Sequence, residues 1–395
     1  MNRPLRVRHA GSVNKETSTD LLVVGAGIVG LAHAAVAADR GLTVRVIDRD
    51  HQAVGASIRN FGHCCITAQS GELYELAQAS RRQWLRFSEL AGFWAATSGA
   101  VVVARTDAEL AVLRELSASR EPGQVTVLDA AATRAKLGPA GTQAGWPGLI
   151  GGAFLRDDLR VDPRTTVGRI ASWLDSLPNA EVSWNTTAAG FTPLPDGGAR
   201  VSTSRGDITA SRVVVCVGHD LDHLFPEEAA AHRIQRCSLN MALGRMPDGF
   251  HLGPAVLTAT SMLRYPAFVE TEAAGALRDE VSTTAPELLE VGANVMFTQR
   301  PDGSLLLGDS HHYHQSAPPF LDESVTETLL EHLEATLGSR PRVIERWQGV
   351  YASSEVGPLF QQEVLPQVTA VSVTSGVGMT LSFGLAERTI DSLFA

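Results

Sequence analysis

Short apolar runs alternate with glycine-rich turns and amphipathic stretches along most of the chain. Residues 21–24 are apolar at every position and of strand length, which is typical of a strand buried on both faces. An alanine-rich stretch at 29–40 predicts a helix, and residues 44–47 predict a second buried strand. This strand–helix–strand succession indicates an α/β fold.

The same reasoning predicts elements further along the chain. Helical periodicity marks residues 72–91, 109–119, 130–137 and 324–338. Apolar or alternating runs predict strands at 101–104, 212–218, 238–243 and 262–265. Two further runs, at 294–298 and 304–308, flank an Arg-Pro-Asp-Gly turn and predict a hairpin.

Glycines follow the first predicted strand at the spacing of a dinucleotide fingerprint. The first allows a tight turn, the second lets the backbone approach a pyrophosphate, and the third lets the helix pack closely on the strand. An acid ends the second strand, where its carboxylate can accept a ribose hydroxyl. The motif does not separate FAD from NAD. The predicted cofactor-binding residues of this unit are Gly25, Gly27, Ile28, Val29, Gly30, Asp48 and Arg49.

Composition narrows the class of protein. The 395 residues are enough for two domains, and 44% hydrophobic with 19% charged residues indicates a globular chain. The net charge of −10 argues against nucleic-acid binding. Residues 21–37 are largely apolar, but the fingerprint glycines and His33 favour a strand–loop–helix over a membrane span.

The cysteines and the N-terminal stretch suggest where the protein works. The four cysteines form no CxxC pair and have no metal-ligand spacing, so we expect reduced thiols and a cytoplasmic protein. Residues 1–19 are polar and lack the apolar core of a secretory signal. We expect them to form a disordered tail.

Three other stretches carry candidate ligand-binding residues. Residues 55–67 form a loop of small residues that is expected to run close to a ligand, and a buried strand ends at Gly218. Glycines before the last apolar helix offer another helix N-terminus. Three histidines at 311–314 lack the carboxylate–histidine spacing of a metal site, so no metal is predicted. The further candidates are Ser57, Arg59, Asn60 and His63 in the loop, Gly218, and Gly376, Gly378, Met379 and Thr380.

Three motifs occur in one order: the fingerprint with Asp48, the strand at 213–218, and the glycine-rich stretch 376–382. In this order they resemble the D-amino-acid oxidase/glycine oxidase/sarcosine oxidase family of flavoproteins, from about residue 20 onward. The resemblance implies an extended FAD on a Rossmann-like domain, with a second, antiparallel-sheet substrate domain covering the flavin. It implies a discontinuous FAD-binding domain at 20–92, 151–232 and 339–395, and a substrate domain at 93–150 and 233–338.

Departures from the family pattern bear on substrate and acceptor. Tyr351 stands where members that bind amino-acid carboxylates often carry an arginine, which argues against an ordinary α-amino acid. Gly349 matches the cysteine that bonds flavin in monomeric sarcosine oxidases, so the resemblance implies non-covalent FAD. Leu306 matches the lysine that promotes their reaction with oxygen, which leaves oxygen or another electron acceptor open.

Two segments, 57–62 and 262–266, resemble a branch of this family associated with organophosphonate breakdown. The resemblance implies oxidation of 2-aminoethylphosphonate or its N-methyl form at the carbon that bears nitrogen. Arginine suits a phosphonate because its guanidinium offers planar paired donors. The candidate catalytic residues are Arg264, Tyr265, His311, Tyr351 and His63, with His312 as a further hydrogen-bonding candidate.

Three other functions stay open at this point. The first is oxidation of a secondary amine or amino acid that resembles glycine or sarcosine. The second is a flavin-fold module with a binding or tRNA-modifying role, against which the acidic charge counts. The third is an NAD-dependent dehydrogenase, which leaves the glycine-rich stretch at 376–382 without a role.

Overall fold

The computed structural model of the protein describes residues 19–395. The predicted tail, 1–19, lies outside the described residues except for Thr19, where the first strand begins. The strands are β1 Thr19–Val24, β2 Val44–Ile47, β3 His63–Cys64, β4 Ala95–Ala96, β5 Ala100–Ala104, β6 Val125–Asp129, β7 Gly151–Leu155, β8 Leu159–Val161, β9 Ala180–Ser183, β10 Ala188–Pro193, β11 Ala199–Thr203, β12 Gly206–Val215, β13 Gln235–Arg245, β14 Ala255–Leu257, β15 Met296–Gln299, β16 Leu305–Gly308, β17 His312–His314, β18 Arg342–Ser353, β19 Leu359–Leu365 and β20 Val368–Val373.

The helices alternate with these strands in the first part of the chain and cluster between strands later. They are α1 Ile28–Asp39, α2 Gly71–Ala91, α3 Asp107–Ser119, α4 Ala130–Lys136, α5 Ala140–Gln143, α6 Pro163–Asp175, α7 Leu221–Leu224, α8 Pro226–Ala231, α9 Ala259–Met262, α10 Pro266–Val269, α11 Ala274–Thr284, α12 Pro286–Glu290, α13 Glu323–Leu337 and α14 Gly378–Phe394. Short 3₁₀ turns occur at Ala56–Ile58 and Gly218–Asp220. None of the described helices combines the length and apolar character that crossing a membrane requires.

The first sheet has eight strands and carries the parallel arrangement typical of a Rossmann-like fold. Its parallel part runs β9–β2–β1–β12–β20, and β10, β11 and β19 extend it with antiparallel pairings. In this register Val24 lies opposite Val215. The carboxyl ends of β1 and β12 therefore bring Gly25 and Gly218 to the same edge of the sheet.

The second sheet has nine strands. Eight of them follow the order β17–β13–β16–β15–β14–β5–β7–β6, and the ninth, β18, pairs with β13. All its pairings are antiparallel except that of β14 with β5. A small third sheet joins β3, β8 and β4. The predicted fold class, an α/β chain with a Rossmann-like unit and a second sheet, is confirmed.

Sheet membership differs from the predicted domain division at two strands. β7 and β18 fall in segments assigned to the FAD-binding domain, 151–232 and 339–395, yet they pair with β5 and β13 of the second sheet. The Gly- and Pro-rich stretch before β7 does not mark the end of the second sheet, because β7 follows it directly and pairs with β5. The division into domains stays a prediction, with these strands belonging to the second sheet.

Close helix packing fixes the start of the last helix at the edge of the first sheet. The Trp84 indole in α2 donates a hydrogen bond to the Met379 carbonyl at 2.8 Å. A Cβ on Gly384 would overlap the Leu76 carbonyl, so α14 and α2 approach closely only because residue 384 is glycine. Both contacts hold the glycine-rich stretch 376–379 beside the fingerprint.

The strand predicted at 262–265 is wrong. This segment turns instead, as α9 ends at Met262 and the Arg264 and Tyr265 amides both donate to the Ser261 carbonyl. Four residues are too few for periodicity to separate a strand from a helical turn, and Pro266 then starts α10. This turn presents Arg264 to the cavity described below.

Candidate active site

One cavity of about 540 Å³ connects the fingerprint to the second sheet. Its size falls in the usual range for small-molecule sites. The sequence-predicted site residues that line it are Gly25, Gly27, Ile28, Val29, Asp48, Arg49, Ser57, Arg59, Asn60, Gly218, Arg264, Tyr265, His311, Tyr351, Gly376, Gly378 and Met379. Gly30, His63 and Thr380 are not among the lining residues.

The cavity wall formed by residues 25–30 and Asp48 is here called the dinucleotide end. Gly25 has a φ of +105°, and a Cβ there would overlap the Cys216 carbonyl. A Cβ on Gly30 would overlap the Gly25 carbonyl, so this glycine lets α1 begin directly against the turn. Gly30 therefore shapes the dinucleotide end from behind and does not face the cavity.

Two fingerprint amides already have side-chain partners. The Ala26 amide donates to Asp48 Oδ2 at 2.7 Å, and the Ile28 amide donates to Ser57 Oγ at 2.8 Å. Burial raises the pKa of Asp48, while the hydrogen bonds from the Asp50 and Ala26 amides act in the opposite direction. Asp48 thus ties β2 to the turn and still lines the cavity as an acceptor.

The loop at 55–62 is held mainly by its own side chains. Asn60 Nδ2 donates to the Ala56 and Ser57 carbonyls, and its Oδ1 accepts from the Gly62 amide. Arg59 Nη1 donates to the Gln348 carbonyl at 3.2 Å. Asn60 lines the cavity, but its side-chain amide is hydrogen-bonded within the loop, so we assign it a positioning role.

The glycine-rich stretch before α14 forms the wall between the two sheets. Gly376 has a φ of +76°, and a Cβ there would lie 2.8 Å from the Tyr351 ring. Thr380 lies one turn deeper and accepts a hydrogen bond from the Cys65 amide at 3.0 Å. Thr380 therefore anchors the segment at 64–65 and does not meet the cavity.

A group of polar side chains faces the cavity from the second-sheet side, and we call it the polar cluster. It consists of Arg264, Asn294, Asp309, His311 and Tyr351, all of which line the cavity. Arg264 Nη2 donates to the Tyr351 hydroxyl at 2.7 Å. No Asp or Glu oxygen among residues 19–395 lies within ion-pair distance, 4.0 Å, of Arg264. Its remaining donors are therefore free for an anionic ligand.

His311 stays a neutral acceptor in this cluster. Its Nδ1 donates to the Gly292 carbonyl at 2.8 Å, which leaves Nε2 without a proton. Burial, together with the nearby charge of Arg264, lowers the pKa of His311 well below its ordinary value. Burial also raises the pKa of Tyr351 well above its ordinary value, so its hydroxyl remains protonated.

Asp309 is a buried acid that our sequence reasoning passed over. It is 4% exposed, and its Oδ1 has no hydrogen-bond partner among the described residues. Burial raises the pKa of Asp309 to about 7, and the charge of Arg264 and the Asn294 side chain act in the opposite direction. The sequence held a weak indication of a site here, because Asp309 directly follows a buried strand, as Asp48 does. Asn294 carried no comparable signal.

His63 lies away from the cavity, contrary to prediction. β3 pairs with β8, and His63 Nε2 is 2.9 Å from Asp158 Oδ2 in the buried interior. Cys65 lies nearby, so that the three side chains each place a potential ligand atom within 4.8 Å of the others. The Asp158 carboxylate satisfies His63 Nε2, whereas Nδ1 is buried without a hydrogen-bond partner among the described residues. The absence of a metal stays a prediction. His312 lies in β17, outside the cavity lining.

The parallel sheet, the glycine turn at its edge and the adjoining cavity define a dinucleotide-binding enzyme class. A model of the FAD dependent oxidoreductase family (DAO) matches residues 20–392. The chain therefore belongs to this family, and it is an FAD-dependent oxidoreductase. No curated protein matches it in sequence.

Solved structures share the fold at low sequence identity. Glycine oxidase from Bacillus cereus ATCC 14579 is 16% identical with a TM-score of 0.75, over 95% of each chain. L-proline dehydrogenase from P. horikoshii is 16% identical with a TM-score of 0.75, over 95% of this chain and 93% of that one. L-α-glycerophosphate oxidase from Mycoplasma pneumoniae, solved with FAD bound, is 15% identical with a TM-score of 0.74, over 95% of this chain and 94% of that one.

The dinucleotide end fits FAD. The close glycines leave backbone, and no side chain, at the turn where a pyrophosphate must approach. Asp48 lines this end with a carboxylate, the kind of acceptor that a ribose hydroxyl requires, and the first turn of α1 faces the same space. The cavity then continues past Gly376 and Gly378 to the polar cluster, so a ligand at the dinucleotide end and a substrate at the polar cluster share one space.

Proposed function

We propose that this enzyme oxidises the carbon–nitrogen bond of a small amine that also carries an anionic group. The best candidates are 2-aminoethylphosphonate and its N-methyl form. The observation that carries the proposal is the Arg264 guanidinium, which lines the cavity, donates to Tyr351 and forms no ion pair with any carboxylate of the described part of the chain. An unpaired guanidinium at the wall of a largely apolar cavity favours an anionic ligand.

The roles proposed for the chain's own residues follow from their positions. Arg264 and the Tyr351 hydroxyl hold the anionic group, and His311 Nε2 offers an acceptor beside them. Tyr265 lines the same cavity, but its hydroxyl donates to Met296 Sδ at 3.6 Å. Residues 25–30, Asp48, Arg49 and the stretch 376–379 hold FAD. Bound FAD supplies the two-electron acceptor for the chemistry. Gly349 lines the cavity without a thiol, which supports non-covalent FAD.

The overall reaction converts the amine to an imine, which water hydrolyses to an aldehyde and an amine or ammonia. Oxygen or another electron acceptor then reoxidises the enzyme. The segments 57–62 and 262–266 support the phosphonate branch of the family, since the second of them contributes Arg264 to the cavity.

An amino acid or a secondary amine is the second candidate, and one observation favours it. Because Arg264 contacts Tyr351 directly, a cation lies beside the position where the family pattern places a carboxylate-binding arginine. The loss of arginine at 351 therefore does not remove positive charge from this place. Glycine oxidase and L-proline dehydrogenase, which by their names act on amino acids, have the same fold.

A substrate panel read by anaerobic visible spectroscopy tests the proposal. The FAD-loaded protein is mixed with 2-aminoethylphosphonate, its N-methyl form, glycine or sarcosine, and flavin absorbance is followed. Bleaching by an aminophosphonate and not by glycine or sarcosine is the expected result. Bleaching by the amino acids alone would replace the phosphonate with a carboxylate, and no bleaching by any amine would overturn amine oxidation. Admitting air afterwards shows whether oxygen is the acceptor.

A further inference from the structure

Asp309 is the one buried carboxylate of the polar cluster, and the roles assigned above leave it unused. It lines the same cavity as Arg264 but forms no ion pair with it. His311 Nδ1 is 3.8 Å from Asp309 Oδ1, yet that nitrogen donates to the Gly292 carbonyl. Oδ1 therefore remains without a hydrogen-bond partner among residues 19–395.

A buried acceptor without a partner is costly unless a ligand satisfies it. The cluster thus presents a cation and an anion to one cavity without joining them. This arrangement complements a ligand that carries both charges, with its anionic group at Arg264 and its ammonium group at Asp309.

We propose that Asp309 binds the ammonium group of a zwitterionic substrate and takes a proton from its nitrogen. The N–H bond breaks, an O–H bond forms at the carboxylate, and the nitrogen keeps its electron pair. The neutral amine is the form that can be oxidised at its α-carbon, because the lone pair supports the developing cation. This proposal rests on the amine oxidation proposed above and adds the residue that selects and deprotonates the amine.

The neighbouring groups leave Asp309 as the group that changes charge near neutrality. Arg264 stays charged. The pKa of His311 is lowered well below its ordinary value, so His311 stays neutral. Burial raises the pKa values of Cys237, Tyr265 and Tyr351, so all three stay protonated. With a pKa of about 7, Asp309 can accept a proton at neutral pH.

The test compares the wild type with Asp309→Asn, which keeps the shape and removes the charge. The first readout is the rate of anaerobic flavin bleaching by 2-aminoethylphosphonate. The second is the affinity for ethylphosphonate, which lacks the amine, and this affinity is measured from the change that ethylphosphonate causes in the flavin spectrum. Asp196→Asn, on an exposed turn, is the matched control. We expect Asp309→Asn to slow bleaching at least a hundredfold and to bind ethylphosphonate at least as tightly as the wild type. Its rate should also lose the rise through pH 7 that the wild type shows.

Each other outcome overturns the assignment. Bleaching by Asp309→Asn at the wild-type rate would show that the carboxylate takes no proton. A parallel loss of ethylphosphonate and FAD binding would show a structural role. The amine used in this comparison is the one that bleaches the wild type in the substrate panel. A wild type that no amine bleaches overturns the proposed function, and this proposal falls with it.

Discussion

The two ends of the cavity are built in different ways. The dinucleotide end is made mainly by the backbone of residues 25–30, with the Asp48 carboxylate bonded to it and with glycines at 25 and 30, where a side chain would overlap a carbonyl. The polar cluster is made by side chains from separate segments, namely the turn after α9, the loop before β15, the segment after β16, and β18. Shape and amides thus define the first end, and charge and hydrogen bonding define the second.

This difference predicts different responses to mutation. At the dinucleotide end, an added methyl group should damage cofactor binding and stability together. At the polar cluster, removal of a functional group should alter substrate use and leave FAD in place.

The largest effect is expected from Gly30→Ala. The new Cβ would overlap the Gly25 carbonyl, whose backbone cannot move without distorting the turn. We expect a loss of roughly 3 kcal/mol in FAD binding, which is about a hundredfold in affinity. Gly168→Ala in α6 is the matched control, because its Cβ meets nothing within 4 Å. FAD content and thermal unfolding are the measurements, and a Gly30→Ala protein that keeps FAD as well as Gly168→Ala would contradict the packing account.

A smaller effect, confined to substrate, is expected from Tyr351→Phe. The substitution keeps the ring that packs on Gly376 and removes the hydroxyl that accepts from Arg264. Loss of one hydrogen bond costs about 1 kcal/mol, so the concentration of 2-aminoethylphosphonate for half-maximal bleaching should rise about fivefold. Tyr74→Phe in α2, outside the cavity lining, serves as control. An equal change with an amine that lacks an anionic group would place the hydroxyl in another role.

A third effect concerns stability, in which a buried histidine of α1, behind the dinucleotide end, and the polar cluster depend on pH in opposite directions. Burial lowers the pKa of His33, in α1, to about 4. The unfolded chain therefore binds a proton at His33 more readily than the folded chain does. The contribution of neutral His33 to the free energy of unfolding is present above pH 6.5 and is lost as pH falls toward 4. The loss amounts to about 3 kcal/mol at most.

For Asp309 the sign is reversed. Its folded pKa of about 7 exceeds the ordinary value of 3.8, so its contribution is present at low pH and is lost as pH rises through 7. Both contributions change between about pH 4 and 7, with opposite signs. Over this range the unfolding midpoint should fall less toward acid pH in His33→Gln than in the wild type, and should fall less with rising pH in Asp309→Asn. Parallel curves for both variants and the wild type would show that neither group is coupled to folding.

The same comparison explains what the sequence could predict. The first two parallel strands, the fingerprint glycines and Asp48 lie within residues 19–48, and local propensity, spacing and function agree there. The residues of the polar cluster are far apart in sequence and are brought together only by the second sheet. Arg264 was found through resemblance, although its segment was predicted as a strand. Asp309 was missed because a single acid after a strand has no distinctive spacing, and His63 was misplaced because pairing of β3 with β8 turns it to Asp158.

The central claim is that one cavity places an amine's anionic group at Arg264 while FAD occupies the dinucleotide end. The most direct measurement is anaerobic flavin bleaching by the wild type and Arg264→Gln, with 2-aminoethylphosphonate and with propylamine as the uncharged-tail comparison. We predict that Arg264→Gln retains FAD, reacts with propylamine like the wild type, and requires about a hundredfold more 2-aminoethylphosphonate, as expected for loss of roughly 3 kcal/mol from a charged hydrogen-bonding partner. Equal concentration dependence of the two proteins on 2-aminoethylphosphonate would contradict the account.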